Sequence, residues 1–588
     1  MDTQRNMTNL EVAKLLRVVA AAYQVKPDED PNLRFRIIAY ERAADAIEHA
    51  TSEVKDLWDE GKLDEIPGIG RAIAEHLDEL FKTGKVKHFE DVTKDLPPAM
   101  FELLDVSGIG PKSALKLTKE LGITKVHGAL EKLQKAAEKG HIRKIGGFAE
   151  GSEREILASV KEVKERIRRL LLPHAAMIAE DVIAWLKKDT SVERAEPLGS
   201  LRRQASTVGD IDIAVVSEHP KSVIEHFTNY PKKVKVIEAG KETAGLLLPG
   251  GVEVDLMVQP QEAFGALLQH FTGSKHHNVA LRTFAIKKHL SLSEHGIKKG
   301  GKLVKVPTEE EFYKTLGMDW IPPELREDEG EIQAAIDHKL PHLVELTDIR
   351  GDLHMHTNFP KETSHDIGAN SGEEMAQEAK RLGYEYIAFT EHNPKSTESK
   401  YKIIEILKEK RERVEKLNDK NIIKHIFNCL EIDIQPDGKL ALPEEAFDLI
   451  DFAVVSIHSS FRGTKEKQTK RVLRALAHPK AKILGHPTAR KLNAREGVDY
   501  KWPEIFEFCK KHNKWLEINS SPDRLDLPDI LVREAIKTGV RLVIDTDSHA
   551  VGQMVGMRYG VSVARRGWAE KVNIVNTLPY NEFVKACL

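Results

Sequence analysis

From Asp352 to the C-terminus, short apolar runs alternate with helical stretches, and no other feature of this chain restricts its fold so tightly. The runs are Tyr386–Thr390, Phe452–Ile457, Lys482–Leu484, Trp515–Asn519 and Leu542–Ile544. Such a pattern predicts βα repeats closed into a barrel. Imidazoles and carboxylates stand at the ends of the runs. His354-Met355-His356 follows the strand-like Arg350-Gly351-Asp352-Leu353, and Asp366, Glu391-His392, Glu431, His458, His486 and Asp547-Ser548-His549 come after it. Residues i and i+2 of a strand share one face, so His354 and His356 point the same way. Imidazole and carboxylate without thiolate suit a site for two or three ions of Mn²⁺, Zn²⁺ or Fe²⁺. Ions of this kind generate a hydroxide nucleophile and polarise a phosphate ester.

At 588 residues the chain is too long for one compact core, and about three to five domains are expected. It has no run of about 18 apolar residues, and its N-terminus lacks the basic-then-apolar form of a signal peptide, so a cytoplasmic protein without a membrane span is expected. Cys429, Cys509 and Cys587 are too few and too scattered for a disulfide framework or a thiolate zinc site. The net charge is only −3, so any footprint on nucleic acid must be local.

Residues 1 to 160 read as nearly continuous helix with Gly-containing turns. Ile66-Pro67-Gly68-Ile69-Gly70 and Val106-Ser107-Gly108-Ile109-Gly110 repeat one pattern, each before an Ala-containing helix start. Paired glycines allow a tight turn between helices, and the next helix N-terminus favours a phosphate. Gly68, Gly70, Gly108 and Gly110 therefore look like two helix-hairpin-helix motifs, which hold DNA backbone without reading sequence. Strand patterns begin further on, in Asp210–Val216 and Val252–Val258. Asp210 and Asp212 share a strand face, and Asp255 on the second strand completes a three-carboxylate set for two Mg²⁺ or Mn²⁺ ions. Gly199 and Ser200 form a close-approach turn for terminal phosphates, and Arg203 adds a cationic contact. Together these residues indicate nucleotidyl transfer.

Residues 8 to 327 resemble the family X DNA polymerases, the polymerase beta-like enzymes. The match rests on Phe35–Ala44, both hairpins, the palm motif and Phe271-Thr272-Gly273-Ser274. It implies that Phe271 and Gly273 line the nucleotide sugar and that Asn278 contacts the incoming base. Three positions depart from the family: His270 replaces a tyrosine, Glu253 an arginine, and His76 the lysine that attacks an abasic sugar. An imidazole cannot form that imine, so no beta-type lyase is expected.

The order of C-terminal residues resembles the PHP (polymerase and histidinol phosphatase) domain, a distorted (βα)7-type barrel with a trinuclear site. The resemblance implies the ligands His354, His356, Asp366, His392, Glu431, His458, His486, Asp547 and His549. For the third ligand, Ser364–Gly368 offers both His365 and Asp366, and Asp366 is preferred.

The expected architecture is multidomain, α+β and then α/β. It comprises a hairpin domain (1–88), a second hairpin domain (89–160), a palm (161–260), a thumb (261–327), a linker (328–348) and the PHP domain (349–588). The expected function is filling of short gaps by a DNA polymerase, joined to a 3′→5′ exonuclease with possible abasic-site endonuclease and 3′-phosphatase activity. The partners are gapped or nicked DNA with 3′ ends and dNTPs, and the protein is expected to be a monomer. The alternative is a phosphatase for a small phosphate ester with a non-catalytic DNA tether.

Overall fold

The computed structural model describes residues 9–587 except 27–31, 49–68 (of which only 54, 58, 63 and 66 are described), 107, 127, 167–168, 361–362 and 396. Helices α1 (Asn9–Val25) and α2 (Leu33–Glu48) share an apolar core with α3 (Arg71–Thr83), which buries Ile73, Leu77 and Leu80 at helical spacing. α3 starts at Gly70 and α4 (Pro111–Glu120) at Gly110, both caps having extended backbone. In each hairpin the isoleucine between the glycines, Ile69 or Ile109, is buried, while Gly70, Gly108 and Gly110 are exposed. The apolar side chain anchors the turn and leaves the first backbone amides of the next helix facing solvent. Gly68 lies outside the described residues.

The palm sheet contains β1 (Arg194–Pro197), β2 (Ile211–Val216), β3 (Lys235–Ala239), β4 (Thr243–Leu247) and β5 (Glu253–Gln259), in the order β1-β2-β5-β4-β3. β2 and β5 run parallel, and the other neighbours are antiparallel. α5 (Leu172–Leu186) covers part of the sheet, and the single turn α6 (Gly199–Arg202) lies between β1 and β2. α7 (Gln261–Thr272) packs Phe264, Leu267 and Leu268 against Leu198, Ala214 and Val216, then gives way to α8 (Lys275–Lys287).

Beyond it, a three-stranded antiparallel sheet over residues 290–304 builds the thumb. The end of the thumb and the stretch 328–348 that follows, read above as a linker, pack against the thumb core. Arg326 is fully buried and donates to Glu309 at 2.6 Å; Ile332, Ile336, Leu340 and Leu343 join the thumb's apolar cluster.

The last domain has β6 (Gly351–Met355), β7 (Tyr386–Phe389) and β8 (His425–Asn428) in one parallel sheet. β9 (Leu430–Asp433), β10 (Ala453–Ser456), β11 (Ala481–Leu484), β12 (Trp515–Asn519) and β13 (Leu542–Asp545) form another. Only Cys429 separates β8 from β9, so one extended segment pairs with β7 by its first half and with β10 by its second. The buried Lys410 sits at this break, donating to Phe389 O, Asn428 Oδ1 and Cys429 O at 2.7–3.0 Å and pairing with Glu391. A bridge between Met355 and Ser548 joins β6 to the end of β13. With β8 and β9 counted as one, the eight strands make a distorted seven-position barrel.

Two of the barrel's helices face the polymerase-like half. α9 (Asp529–Thr538) and α10 (Met557–Arg566) pack together, and α10 also touches the thumb segment Pro323–Leu325. A Cβ on Gly560 would lie 2.0 Å from Ser520 Oγ and 2.6 Å from Ile544 Cγ2, so α10 reaches the barrel strands only because that side chain is missing. Palm and barrel share one contiguous apolar core, running from Ile211, Val254 and Leu256 to Ile432, Ile518 and Ile544. The two hairpin domains each have a core of their own.

Candidate active sites

In the palm, strand pairing decides the geometry. Asp212 stands directly opposite Asp255 across the parallel β2/β5 ladder, and Asp210 precedes Asp212 by two residues on the same face. Burial and then the neighbouring Asp210 and Asp255 push the Asp212 carboxyl up to about 7. Asp255 is also raised, by burial first and then by Glu253, Asp210 and Glu238. The arginine-to-glutamate departure at position 253 thus adds one more like charge. Oxygen donors that resist ionising together fit a hard divalent cation, and Asp210, Asp212 and Asp255 would hold it.

Gly199 brings the phosphate turn against this trio. Its φ is +58°, and a Cβ there would sit 2.9 Å from Asp212 Oδ2, so a larger residue would be strained and crowded. Arg203, at the C-terminal end of α6, donates through Nε to Glu327 at 3.0 Å and through Nη1 to Thr272 O at 2.5 Å. This places its guanidinium beside Gly273, whose φ is +70°. Asn278 is braced at both ends of its amide, donating to His270 O at 2.7 Å and accepting from Gln269 at 2.8 Å. The His270 ring lies beside Phe271, tilted by 60° to it, with centroids 4.8 Å apart.

In the first hairpin domain, His76 lies parallel to His88 at 4.7 Å, and its Nδ1 is 2.9 Å from the Tyr40 hydroxyl. Burial, followed by His88, lowers its pKa. An imidazole locked in this stack offers no amine for imine chemistry.

The barrel brings its ligand candidates together at the C-terminal ends of the strands, where βα folds place their sites. Glu431, on β9, is the hub. Its carboxylate oxygens lie 2.9–3.6 Å from nitrogens of His354, His356, His392, His458 and His486. Asp547 Oδ1 is 3.3 Å from His356 Nε2 and 3.6 Å from His354 Nε2. Asp366 reaches His392 and His549, each at 3.5 Å.

The charges compensate one another. Burial disfavours every ionised group here, yet His458, His392 and His354 hold Glu431 well below the usual carboxylate range, and burial is likewise outweighed by Glu431 and Asp366 at His392, pushed up to about 10. His356 is driven well down by burial and by His549.

A metal centre fits these residues. His354 Nε2, both nitrogens of His356, His392 Nδ1, His486 Nδ1, His549 Nε2 and Glu431 Oε2 are buried and make no hydrogen bond. Orphaned donors of this kind are costly unless a cation is their partner. Their atoms fall into overlapping groups of metal-ligand spacing: His354–His356–Glu431–Asp547, His356–His392–His549, His392–Glu431–His458 and His365–Asp433–His458.

Three residues here escaped the sequence reading or were passed over by it. His365, the alternative to Asp366, lies 2.9 Å from Asp433, so both members of that pair enter the cluster on different sides. Asp433 also lies 2.6 Å from His458 Nδ1, and its position two residues after Glu431 on one strand was a readable signal. Glu517 Oε1 is 2.6 Å from His354 Nδ1 and fixes that ring's orientation.

The centre opens into a cavity of about 230 Å³. Asp366, Arg524 and His549 line it from the barrel, His174 and Met177 from palm helix α5, and Arg42 and Asp45 from α2. No helix among the described residues is long and apolar enough to cross a membrane.

Comparison with known proteins agrees with this division. A helix-hairpin-helix domain profile matches residues 7–86, a SAM-like helix-hairpin-helix tandem 100–162, the DNA polymerase beta thumb 267–327 and the PHP domain 352–521. The chain is 25% identical to DNA polymerase lambda of Rattus norvegicus over 357 residues, 54% of this chain and 56% of the other. With DNA polymerase lambda of Arabidopsis thaliana it shares 25% over 362 residues, 55% of this chain and 62% of the other. It is 33% identical over 574 residues, 97% of both chains, to the DNA polymerase/3′-5′ exonuclease PolX of Bacillus subtilis. With that likeness along almost its whole length, a beta-type thumb, hairpin domains and a terminal PHP barrel, the chain belongs to the family X DNA polymerases that carry a PHP domain.

Proposed function

We propose that the protein is a DNA-directed DNA polymerase that fills short gaps during repair and that its barrel is a metal-dependent 3′→5′ exonuclease. The observation that carries the reading is the register of Asp212 opposite Asp255 beneath the Gly199 turn, in one chain with the histidine cluster around Glu431. Asp210, Asp212 and Asp255 would hold two Mg²⁺ or Mn²⁺ ions, whose positive charge would favour ionisation of a primer 3′-hydroxyl and screen the triphosphate. The Gly199 backbone, the Ser200 hydroxyl and Arg203 hold the terminal phosphates. Phe271 and Gly273 line the sugar, and Asn278, braced by Gln269 and the His270 carbonyl, faces the base.

In the barrel, His354, His356, Asp366, His392, Glu431, His458, His486, Asp547 and His549 form the ligand set for two or three ions of Mn²⁺, Zn²⁺ or Fe²⁺, with His365 and Asp433 beside it. Bound there, such ions would supply Lewis acidity for hydrolysis of a 3′-terminal phosphodiester. Glu517 and Asp433 orient the His354 and His458 rings. The same centre serves abasic-site cleavage and removal of a 3′-phosphate. Gly68, Gly70, Gly108 and Gly110 grip gapped or nicked DNA by its backbone. The protein works as a monomer in the cytoplasm, which its three buried free thiols fit.

The test uses a one-nucleotide gapped duplex with a labelled primer, with and without dNTP, in Mg²⁺ and then in Mn²⁺. Asp210→Ala should abolish extension and spare 3′ degradation, and His354→Ala should do the reverse. Equal loss of both activities in both variants would overturn the separate-site reading. Extension that survives Asp210→Ala would remove the palm from it, leaving the small-ester phosphatase.

A further inference from the structure

Arg203 is held from two directions. Within its own half it touches Thr272 O and Glu327, and among the described residues its Nη2 has no protein partner. From the other half comes Arg566, the last residue of α10 in the barrel domain. Arg566 Nη1 donates to the Arg203 backbone carbonyl at 2.8 Å and to Glu327 Oε1 at 3.0 Å. Glu327 Oε1 thus accepts from both guanidinium groups, since Arg203 Nε also donates to it at 3.0 Å. Arg566 is itself aimed by Asp529, the first residue of α9, which accepts from its Nε at 2.6 Å. One residue further along, Gln204 accepts from Ser562 of α10 at 3.0 Å. The end of the phosphate turn therefore rests on a helix of the metallohydrolase domain.

We propose that Arg566 is a positioning residue for nucleotide binding in the palm, acting through Glu327 and the Arg203 carbonyl to keep the Arg203 guanidinium turned towards, and available to, a triphosphate. The proposal rests on the reading of the palm as a nucleotidyl transferase. Two physical effects support it. The first is geometric: the donor on the Arg203 carbonyl closes the C-terminal end of α6, where an orphan carbonyl would otherwise seek water and let the turn drift. The second is electrostatic. Arg203, Glu327, Arg566 and Asp529 balance two positive charges against two negative ones. Without Arg566 the group carries one net negative charge beside a site that must accept a polyanion. Glu327 would also pair with Arg203 alone and compete with the phosphates for it.

The coupling predicts a split in kinetic constants. In gap filling, Arg566→Met should raise the KM for dNTP on the order of tenfold while kcat changes by less than about threefold. Degradation of a labelled single-stranded oligonucleotide by the same preparation should be unaltered. Arg566→Lys, which keeps the charge but not the two-pronged donor, should fall between Arg566→Met and the unaltered protein. On a Glu327→Gln background the competing carboxylate is gone, so adding Arg566→Met should raise KM by only about threefold or less.

A KM for Arg566→Met equal to that of the unaltered protein overturns the proposal. So does a rise of the same size in both backgrounds, because the path through Glu327 would then be absent. If Arg566→Met does not fold, Arg566→Lys decides, and an unchanged KM in it overturns the proposal. Failure of the unaltered protein to extend a primer removes the palm reading and this inference with it. Extension with an unmoved KM removes the inference alone.

Discussion

In the palm, three carboxylates face one another, and burial together with mutual repulsion pushes Asp212 up to about 7. In the barrel, carboxylates and imidazoles interleave, so that Glu431 and Asp547 are held low while His354 and His392 are held high. The first arrangement is incomplete without added positive charge and suits ions that arrive with a nucleotide. The second mixes both signs of charge and buries most of its ligand atoms at the end of a cavity, which would suit ions that stay through many turnovers. On the proposed reading the palm would take its ions transiently and the barrel would keep them, and the difference would lie in which residue types the strands present.

The comparison breaks most sharply at Glu431, which serves nitrogens of five histidines. Glu431→Gln should reduce 3′ degradation by about a thousandfold or more and strip metal from the purified protein, while leaving gap filling within about twofold. Retained metal in that variant would deny Glu431 its place as hub. Gly199→Ala is the counterpart in the palm. A side chain at φ +58°, 2.9 Å from Asp212 Oδ2, should lower extension about a hundredfold without touching degradation, as parallel assays on one preparation will read.

A smaller effect belongs to Glu517, which touches His354 and not the reaction. Glu517→Gln should weaken metal retention by about 10- to 100-fold, measured by competition with a chelator. Unchanged retention would mean that the His354 ring is held by its strand alone. The smallest effect sharpens the electrostatic contrast. In chelator at pH 8, Asp212→Asn should raise the melting temperature by a few degrees through relief of like-charge repulsion. Glu431→Gln should lower it, because the imidazoles lose their counter-charge. The same sign for both would erase the distinction between the sites.

Much of this was legible in the chain because short-range geometry carried it. His354-Met355-His356, Asp210-Ile211-Asp212 and Asp547-Ser548-His549 are i, i+2 pairs, and on a strand or a strand end that spacing alone puts two donors on one face. Asp255 could be joined to them because its apolar strand announced itself. Residues whose role depends on the chain returning from far away could not be read so easily. Glu517 is a lone acid in an apolar run until β12 carries it next to His354. The barrel's shared strand was hidden too, since β8 and β9 are short and the segment splits at Cys429 between two sheets. Arg566 meets Arg203 across 363 positions and lies in a helix whose charged face reads as an ordinary solvated surface. The stretch 328–348 looks like a linker by composition, yet Glu331, buried against His277 at 2.6 Å, ties it to the thumb.

The single apolar core that runs from the palm strands into the barrel has a thermodynamic consequence. Two catalytic centres joined by a flexible tether would melt as two calorimetric events, each with its own enthalpy. Here apolar residues of palm and barrel join in one buried cluster beside the cavity, so neither half can expose its share of that cluster without exposing the other's. Gap filling and 3′ degradation should therefore be lost at one temperature, in one transition, while the hairpin domains, with interiors of their own, come apart separately. Heat should not convert this protein into a polymerase without its nuclease or a nuclease without its polymerase, because both halves contribute to one buried apolar cluster.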